Sequence, residues 1–348
     1  MAAIAASFFL GYLSYFFIEG FAGRKNRYVK GISPNIRVGG TLILVGFLGT
    51  FVFVLKGVPG RMKAEFYDST KDMVMPLFNN GWCFYSIDSI DELSIGNDGL
   101  KCELGDKASG IKGLLFGDSY AGHNGPFWDV VGSDNHIKIN SVATNWCYPS
   151  ITGEFTGPSS SRAYKQCKIN RDYLVNNLFD YDFVVFAGAW DDVYYQNKEQ
   201  GLYDAISLAS DKTKLVILMA APTTFDVNVK SRYERSLLSG LNFDINELSK
   251  EKDKVTREAD EKLEILAGKY DNVLYLDRKS LFNIGGIPSD VTKDNIPYSL
   301  DGAHISIYGS RMSALSFENS TIYNKFKERI SKINPNKYRL ATRKASDN

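Results

Sequence analysis

The sequence predicts an α/β protein with a doubly wound parallel sheet of about five strands, preceded by two transmembrane helices. Three observations carry this expectation. Two long apolar runs without a charge stand near the amino terminus. Short, apolar, β-branched segments recur between residues 111 and 278, as in a parallel sheet covered on both faces. Helix-compatible segments separate most of them. Composition is that of a globular protein, and the net charge of +1 over 348 residues provides no field to recruit nucleic acid.

The first apolar run is residues 2–18, "AAIAASFFLGYLSYFFI", and the second is residues 38–55. Each approaches the ~20 residues that cross a bilayer as helix. A signal peptide is the alternative for the first run, but it lacks a basic start and a small-residue cleavage site. Between the runs stand Arg24, Lys25, Arg27, Lys30 and Arg37, with no acid after Gly23. Short basic loops stay in the cytoplasm, so the first helix runs inward and the second outward. Lys56, Arg61 and Lys63 weaken that bias without cancelling it, and Glu19 reads as an interfacial charge. Residues 57–110 read as a linker and lead-in, acidic and turn-rich. Residues 111–335 form the α/β domain and 336–348 a polar tail.

All four cysteines, Cys83, Cys102, Cys147 and Cys167, fall in the outer part. An even count in an oxidising compartment suggests two disulfides. Of three possible pairings, Cys83–Cys102 and Cys147–Cys167 close the smallest loops. No Cys or His spacing suits zinc.

The five expected strands lie at "IKGLLFGDS", residues 136–144, residues 181–190, residues 214–222 and residues 272–278. Helices are expected over "SRAYKQCKINRDYLVNNLF", over "KEQGLYDAISLAS" and over residues 245–270. The last keeps Leu248, Val255, Leu263 and Leu266 roughly on one face. In a doubly wound sheet, ligands sit at the carboxyl ends of the strands. Gly117, Asp118 and Ser119 follow the first strand and belong at that edge. Asp118 suits a helix cap; Ser119 suits a nucleophile.

A serine needs a base to take its proton. The chain has three histidines. His136 begins a strand and lies at the wrong edge. His123 follows Ser119 by one helical turn and reads as a local hydrogen-bonding group. His304 sits in "SLDGAHISIYGSRMSAL", with Asp301 three residues before it. Across a turn, that spacing lets a carboxylate reach imidazole Nδ1 and leaves Nε2 for the serine, the division of labour of a Ser-His-Asp triad.

GDSY (Gly117 to Tyr120) resembles the first block of SGNH hydrolases, and DGAH (Asp301 to His304) the last. By that resemblance Ser119 is the nucleophile, His304 the base and Asp301 its partner. "LSYFFIEGFAGRKN", residues 13–26, resembles the end of the membrane domain of acyltransferase family 3. The order helix, basic loop, helix, linker, SGNH-like domain resembles the C-terminal portion of an O-antigen-type O-acetyltransferase. The family's third block is Gly-x-Asn-Asp, but "AGAWDD", Ala187 to Asp192, places Trp190 where the asparagine stands. The second block's glycine is missing from "SVATNWCYP", Ser141 to Pro149. Losing one oxyanion donor costs ~10²–10³ in rate. The Ser119 N–H and Asn145 are candidate donors. Trp190, Tyr120 and His123 are candidates to line the substrate site. Asp191 and Asp192 read as caps of the next segment.

The resemblance implies transfer of an acyl group, acetyl by analogy, to hydroxyls of a cell-surface polysaccharide such as lipopolysaccharide O-antigen. Acetyl-CoA is the ultimate donor, with no cofactor on the SGNH domain. The remaining acyltransferase-3 membrane helices and a surface glycan are the implied partners. The implied location is the bacterial inner membrane, with the SGNH domain in the periplasm. A carbohydrate acetyl esterase and a non-catalytic glycan-presenting module are the alternatives; a pseudoenzyme without glycan contact is a weaker third.

Overall fold

Strand residues at alternate positions feed two different cores, and this defines the architecture of the computed structural model. The structure describes residues 70–333, together with scattered positions between 11 and 54. The chain divides into two compact units, Met1–Tyr67 and Asp68–Asn348. The described positions of the first, Ile43, Phe47 and Phe51 among them, are helical and exposed. Among the described residues no helix is long and apolar enough to cross a membrane. The first expected membrane helix falls largely outside the described residues, the second is described only at scattered positions, and the polar tail falls wholly outside them.

The second unit carries a sheet built from Cys102–Gly105 (β1), Lys112–Gly117 (β2), Lys138–Ala143 (β3), Phe183–Ala187 (β4), Leu215–Met219 (β5) and Val273–Leu276 (β6). Their spatial order is β1-β3-β2-β4-β5-β6. From β3 to β6 all neighbours are parallel, and β1 runs antiparallel to β3. A small hairpin joins Asn283–Ile284 (β7) to Ile287–Pro288 (β8). The helices are Ser119–His123 (α1), Gly125–Asp134 (α2), Arg162–Asn177 (α3), Trp190–Tyr195 (α4), Glu199–Lys212 (α5), Val229–Ser239 (α6), Asp253–Ala267 (α7), Arg278–Leu281 (α8), Ile307–Glu318 (α9) and Thr321–Ile333 (α10).

Leu115, Phe183, Val185, Ile217 and Leu276 face one core with Phe127, Trp128, Phe317 and Phe326 from α2, α9 and α10. Their neighbours Leu114, Phe116, Val184, Phe186, Val216 and Leu218 face the other, with Leu174, Ala205 and Leu263 from α3, α5 and α7. Period-two alternation with both faces buried is the signature of a sheet sandwiched between helix layers. The α/β expectation therefore holds.

Two details differ from the sequence expectation. The sheet has six strands and is mixed. The sixth, β1, lies in the segment read as lead-in. It is only four residues long and pairs with residues 138–141, so no local periodicity announces it. The part of that segment around β1 thus joins the sheet. Phe84 bridges Ala143, and the Tyr85 N–H donates to the Ala143 carbonyl. The helix expected over residues 245–270 is confined to α7, after a short 3₁₀ turn at Ile245–Glu247. Leu248 lies outside the helix, and Val255 is 49% exposed. The buried face of α7 includes Thr256, Ala259, Asp260, Leu263 and Leu266. Asp260 is tolerated there because Arg278 pairs with it at 2.9 Å.

Both nearest-neighbour disulfides are present, Cys83–Cys102 and Cys147–Cys167. The second closes a loop with a sequence separation of 20. Replacing Cys147 and Cys167 together by serine is expected to lower the unfolding free energy by about 3 kcal/mol through lost loop-closure constraint, measured by urea denaturation under oxidising conditions.

Candidate active site

Strand β2 delivers its end to the site through Gly117. A Cβ on Gly117 would meet the Ala187 carbonyl oxygen at 1.8 Å, and its φ of +159° lies at the edge of what other residues tolerate. Only a glycine lets the ends of β2 and β4 come this close. Asp118 follows and is almost wholly buried. One carboxylate oxygen accepts from the Tyr120 N–H at 2.8 Å, capping α1 as the sequence suggested. The other accepts from the Ala189 N–H at 2.9 Å, tying the turn before Ser119 to the exit of β4. Burial pushes the Asp118 carboxyl up to about 6 against the pull of these two N–H donors. Ser119 is the first residue of α1.

His304 stands on the turn before α9. One Asp301 oxygen accepts from the N–H groups of Ala303 and His304, at 2.9 and 2.8 Å. This is the local turn that aspartate favours. Gly302 makes it possible: its φ is +107°, and a Cβ there would meet the Val227 carbonyl at 2.6 Å. The turn is held from below, because Ser306 caps α9 and Ser310 accepts from the Phe127 N–H at 2.9 Å.

These elements bring together the three residues expected from the sequence. Asp301 Oδ2 lies 2.8 Å from His304 Nδ1, and His304 Nε2 lies 2.8 Å from Ser119 Oγ. Burial alone would raise the Asp301 carboxyl. The His304 imidazole and the two backbone N–H groups outweigh it and hold the group well below the usual carboxylate range. An ionised Asp301 is an acceptor only, so it fixes the proton on Nδ1 and leaves Nε2 to accept from the serine. His136 lies elsewhere, 3.2 Å from Asp106 at the amino end of the sheet.

Two cavities meet at this point. The larger, about 530 Å³, is lined by Ser119, Tyr120, Asp191, Asp192, Asn228 and Lys252, among others. The smaller, about 290 Å³, is lined by Met75, Leu77, Phe84, Ser86, Asn145 and Leu300. Ser119, Trp146, Asp301 and His304 line both. A separate charged cavity of about 600 Å³ surrounds Arg278, and no triad residue lines it. Among the described residues no group of three or more His, Cys, Asp or Glu is placed to hold a metal ion.

The remaining site expectations divide. Tyr120 lines the larger cavity, with its ring against His123 and His304. Trp190 lines neither of these two cavities: it is 0% exposed, and its indole N–H donates to the Met219 carbonyl at 2.8 Å. It fills the core beneath the ends of β4 and β5, where no sugar reaches it. His123 is also fully buried, behind His304 rather than beside substrate, and its Nδ1 faces the Ile305 N–H at 3.4 Å. Burial, then the adjacent His304, lowers its pKa far below the usual histidine value, so it is neutral. Asn145 lines the smaller cavity, yet its amide already donates to Ser86 Oγ at 3.0 Å and its oxygen accepts from the Asp88 N–H at 3.3 Å. Asp191 and Asp192 make no side-chain cap on α4; both line the larger cavity.

The residue that the sequence reasoning passed over is Trp146. It is 37% exposed, stands between the cavities and holds a left-handed backbone with φ of 55°. Such a conformation costs a non-glycine residue on the order of 1–3 kcal/mol. Its surroundings impose it. Thr156 donates to its carbonyl at 3.0 Å, Gly157 leaves room for the indole, and Cys147 anchors the next position. A tryptophan next to a cysteine just past a parallel strand was the available signal.

A family model for an SGNH domain fused to AT3 domains matches residues 83–319. The chain belongs to this family. The match begins at Cys83, so it takes in residues 83–110 of the segment read as linker and lead-in. Among solved structures, the periplasmic domain of a lipopolysaccharide acetyltransferase from Salmonella ser. Paratyphi A is similar, with 18% identity and a TM-score of 0.46 over 75% of this chain and 95% of that one. A catalytic mutant of an acetylxylan esterase from Geobacillus stearothermophilus shares 14% identity with a TM-score of 0.35, covering 61% of this chain and 94% of that one. No curated protein matches the chain.

Two measurements test this geometry. Asp118→Asn keeps one acceptor and faces the second N–H with an amide, so it is expected to lose about 1–3 kcal/mol of stability in urea denaturation. For Asp301, a carboxyl with a depressed folded pKa stabilises above its unfolded value and loses that contribution as pH falls. The stability difference between wild type and Asp301→Asn is therefore expected to be level above about pH 5 and to shrink below about pH 4. Denaturation curves across pH 2–8 check it.

Proposed function

We propose that the SGNH domain transfers an acyl group, acetyl by the family resemblance, onto hydroxyls of a cell-surface polysaccharide. The observation that carries this reading is the continuous Asp301–His304–Ser119 chain, with both hydrogen bonds at 2.8 Å. In the first step Ser119 Oγ attacks the carbonyl carbon of an ester or thioester donor. Its proton passes to His304 Nε2 and then to the departing oxygen or sulfur. In the second step a sugar hydroxyl gives its proton to His304 and attacks the acyl-serine carbonyl, releasing Ser119. Asp301 stabilises the imidazolium in both steps. The Ser119 N–H at the start of α1 serves the developing oxyanion. Trp146 presents an apolar ring face suited to stacking on a sugar, in place of the buried Trp190.

The family fusion to AT3 domains supports a membrane acyltransferase partner that brings the acyl group across, with acetyl-CoA as its source. The two disulfides support an oxidising, periplasmic compartment. In this reading residues 1–56 anchor the domain to the inner membrane. An intact triad favours catalysis over a purely glycan-presenting role. Water in place of the sugar hydroxyl would make the same site an esterase, and the smaller charge-poor cavity beside Ser119 leaves that chemistry accessible.

The test uses the full chain in detergent, an acetyl-ester donor and an acceptor oligosaccharide. Ser119-dependent acetyl-sugar is the expected product. Ser119→Ala is expected to lower the rate by on the order of 10⁴–10⁶-fold and to abolish labelling by a fluorophosphonate. Ser119-dependent acetate with no acetyl-sugar supports the esterase instead. Equal rates in wild type and Ser119→Ala overturn the catalytic reading.

A further inference from the structure

We propose that the smaller cavity is the acyl pocket, that the acceptor approaches from the larger one, and that the pocket takes acyl groups longer than acetyl. The proposal rests on Ser119 being the nucleophile. The two cavities share Ser119, Trp146, Asp301 and His304, so an acyl group on Ser119 must point into one of them. Their linings differ in kind. Met75, Leu77, Phe84 and Leu300 line the smaller, and no carboxylate or ammonium other than Asp301 does. Asp191, Asp192, Asp226 and Lys252 line the larger. An alkyl chain gains from leaving water only where it displaces no solvated charge, whereas sugar hydroxyls need donors and acceptors.

The smaller cavity is a built wall. The Phe84 ring sits against Gly122 of α1, where a Cβ would meet it at 2.4 Å. Cys83 is bonded to Cys102 of β1. Asn145 donates to Ser86 Oγ and accepts from the Asp88 N–H, pinning the same segment to the exit of β3. Nucleophile helix, sheet edge and pocket wall therefore hold one another in place.

The volume of about 290 Å³ equals roughly ten waters of liquid. That exceeds a two-carbon acyl group and suits an unbranched chain of about four to six carbons. Each methylene buried there is expected to raise kcat/KM by about fourfold.

The experiment compares p-nitrophenyl acetate, butyrate and hexanoate as donors to the full chain in detergent. Wild type is expected to prefer butyrate to acetate by about fifteenfold in kcat/KM. Leu77→Trp and Met75→Trp, which fill the pocket from half-buried positions, are expected to lower that ratio at least tenfold. Ser89→Trp, at an exposed rim position, reports the same change if the other two fail to fold. A wild-type ratio at or below one overturns the proposal. So does an unchanged ratio in variants that melt as cooperatively as wild type. Hydrolysis that persists in Ser119→Ala overturns the nucleophile assignment instead, and the pocket with it. The Ser119→Ala arm and the ratio arm thus fail separately.

Discussion

One buried carboxylate sets where the chemistry of this protein stands. Asp118 holds the N–H of Tyr120 with one oxygen and that of Ala189 with the other. The first bond starts the helix that carries Ser119. The second binds that helix to the end of the neighbouring strand. Gly117 makes the arrangement possible by allowing the backbone to touch the Ala187 carbonyl. A side chain at Gly117 would separate the strands, and loss of Asp118 would leave one buried and one half-buried donor without this acceptor. The position of Ser119 relative to His304 then follows from ordinary packing, since α2 and α9 join through Phe127, Ser310 and Phe317.

What the sequence reveals and what it conceals follow from the range of the interactions. The central strands β2, β4 and β5 are legible because each is an apolar run buried on both faces. The triad is legible because Asp301 and His304 share a local turn and Ser119 follows a strand. The disulfides are legible from loop size. By contrast, β1 is four residues whose pairing is long-range, and nothing in "CELG" separates it from a loop. Trp190 misleads for a related reason. Its place after β4 matches a catalytic position in the family's pattern, but its indole turns down to the Met219 carbonyl, which a sequence cannot show. Trp146 escapes notice because its left-handed backbone is set by tertiary contacts, with Thr156 and Gly157 of the following loop, that no local pattern announces.

The electrostatics of the site divide it in two. Asp301 is kept ionised by the donors around it, and His123 is kept neutral by burial behind His304. The imidazole therefore has a carboxylate on its Nδ1 side and an uncharged ring at its back. Beyond Ser119, charge gathers on one side only, at Asp191, Asp192, Asp226 and Lys252. Aliphatic groups gather on the other.

The Cys83–Cys102 bond has a consequence beyond stability. It fastens to the sheet edge the segment that carries Phe84 and Ser86 beside the nucleophile. A chain still in a reducing cytoplasm has its serine, histidine and aspartate but not this fastening. Reduction of that one bond would therefore loosen a wall of the site while leaving Ser119, His304 and Asp301 in the chain.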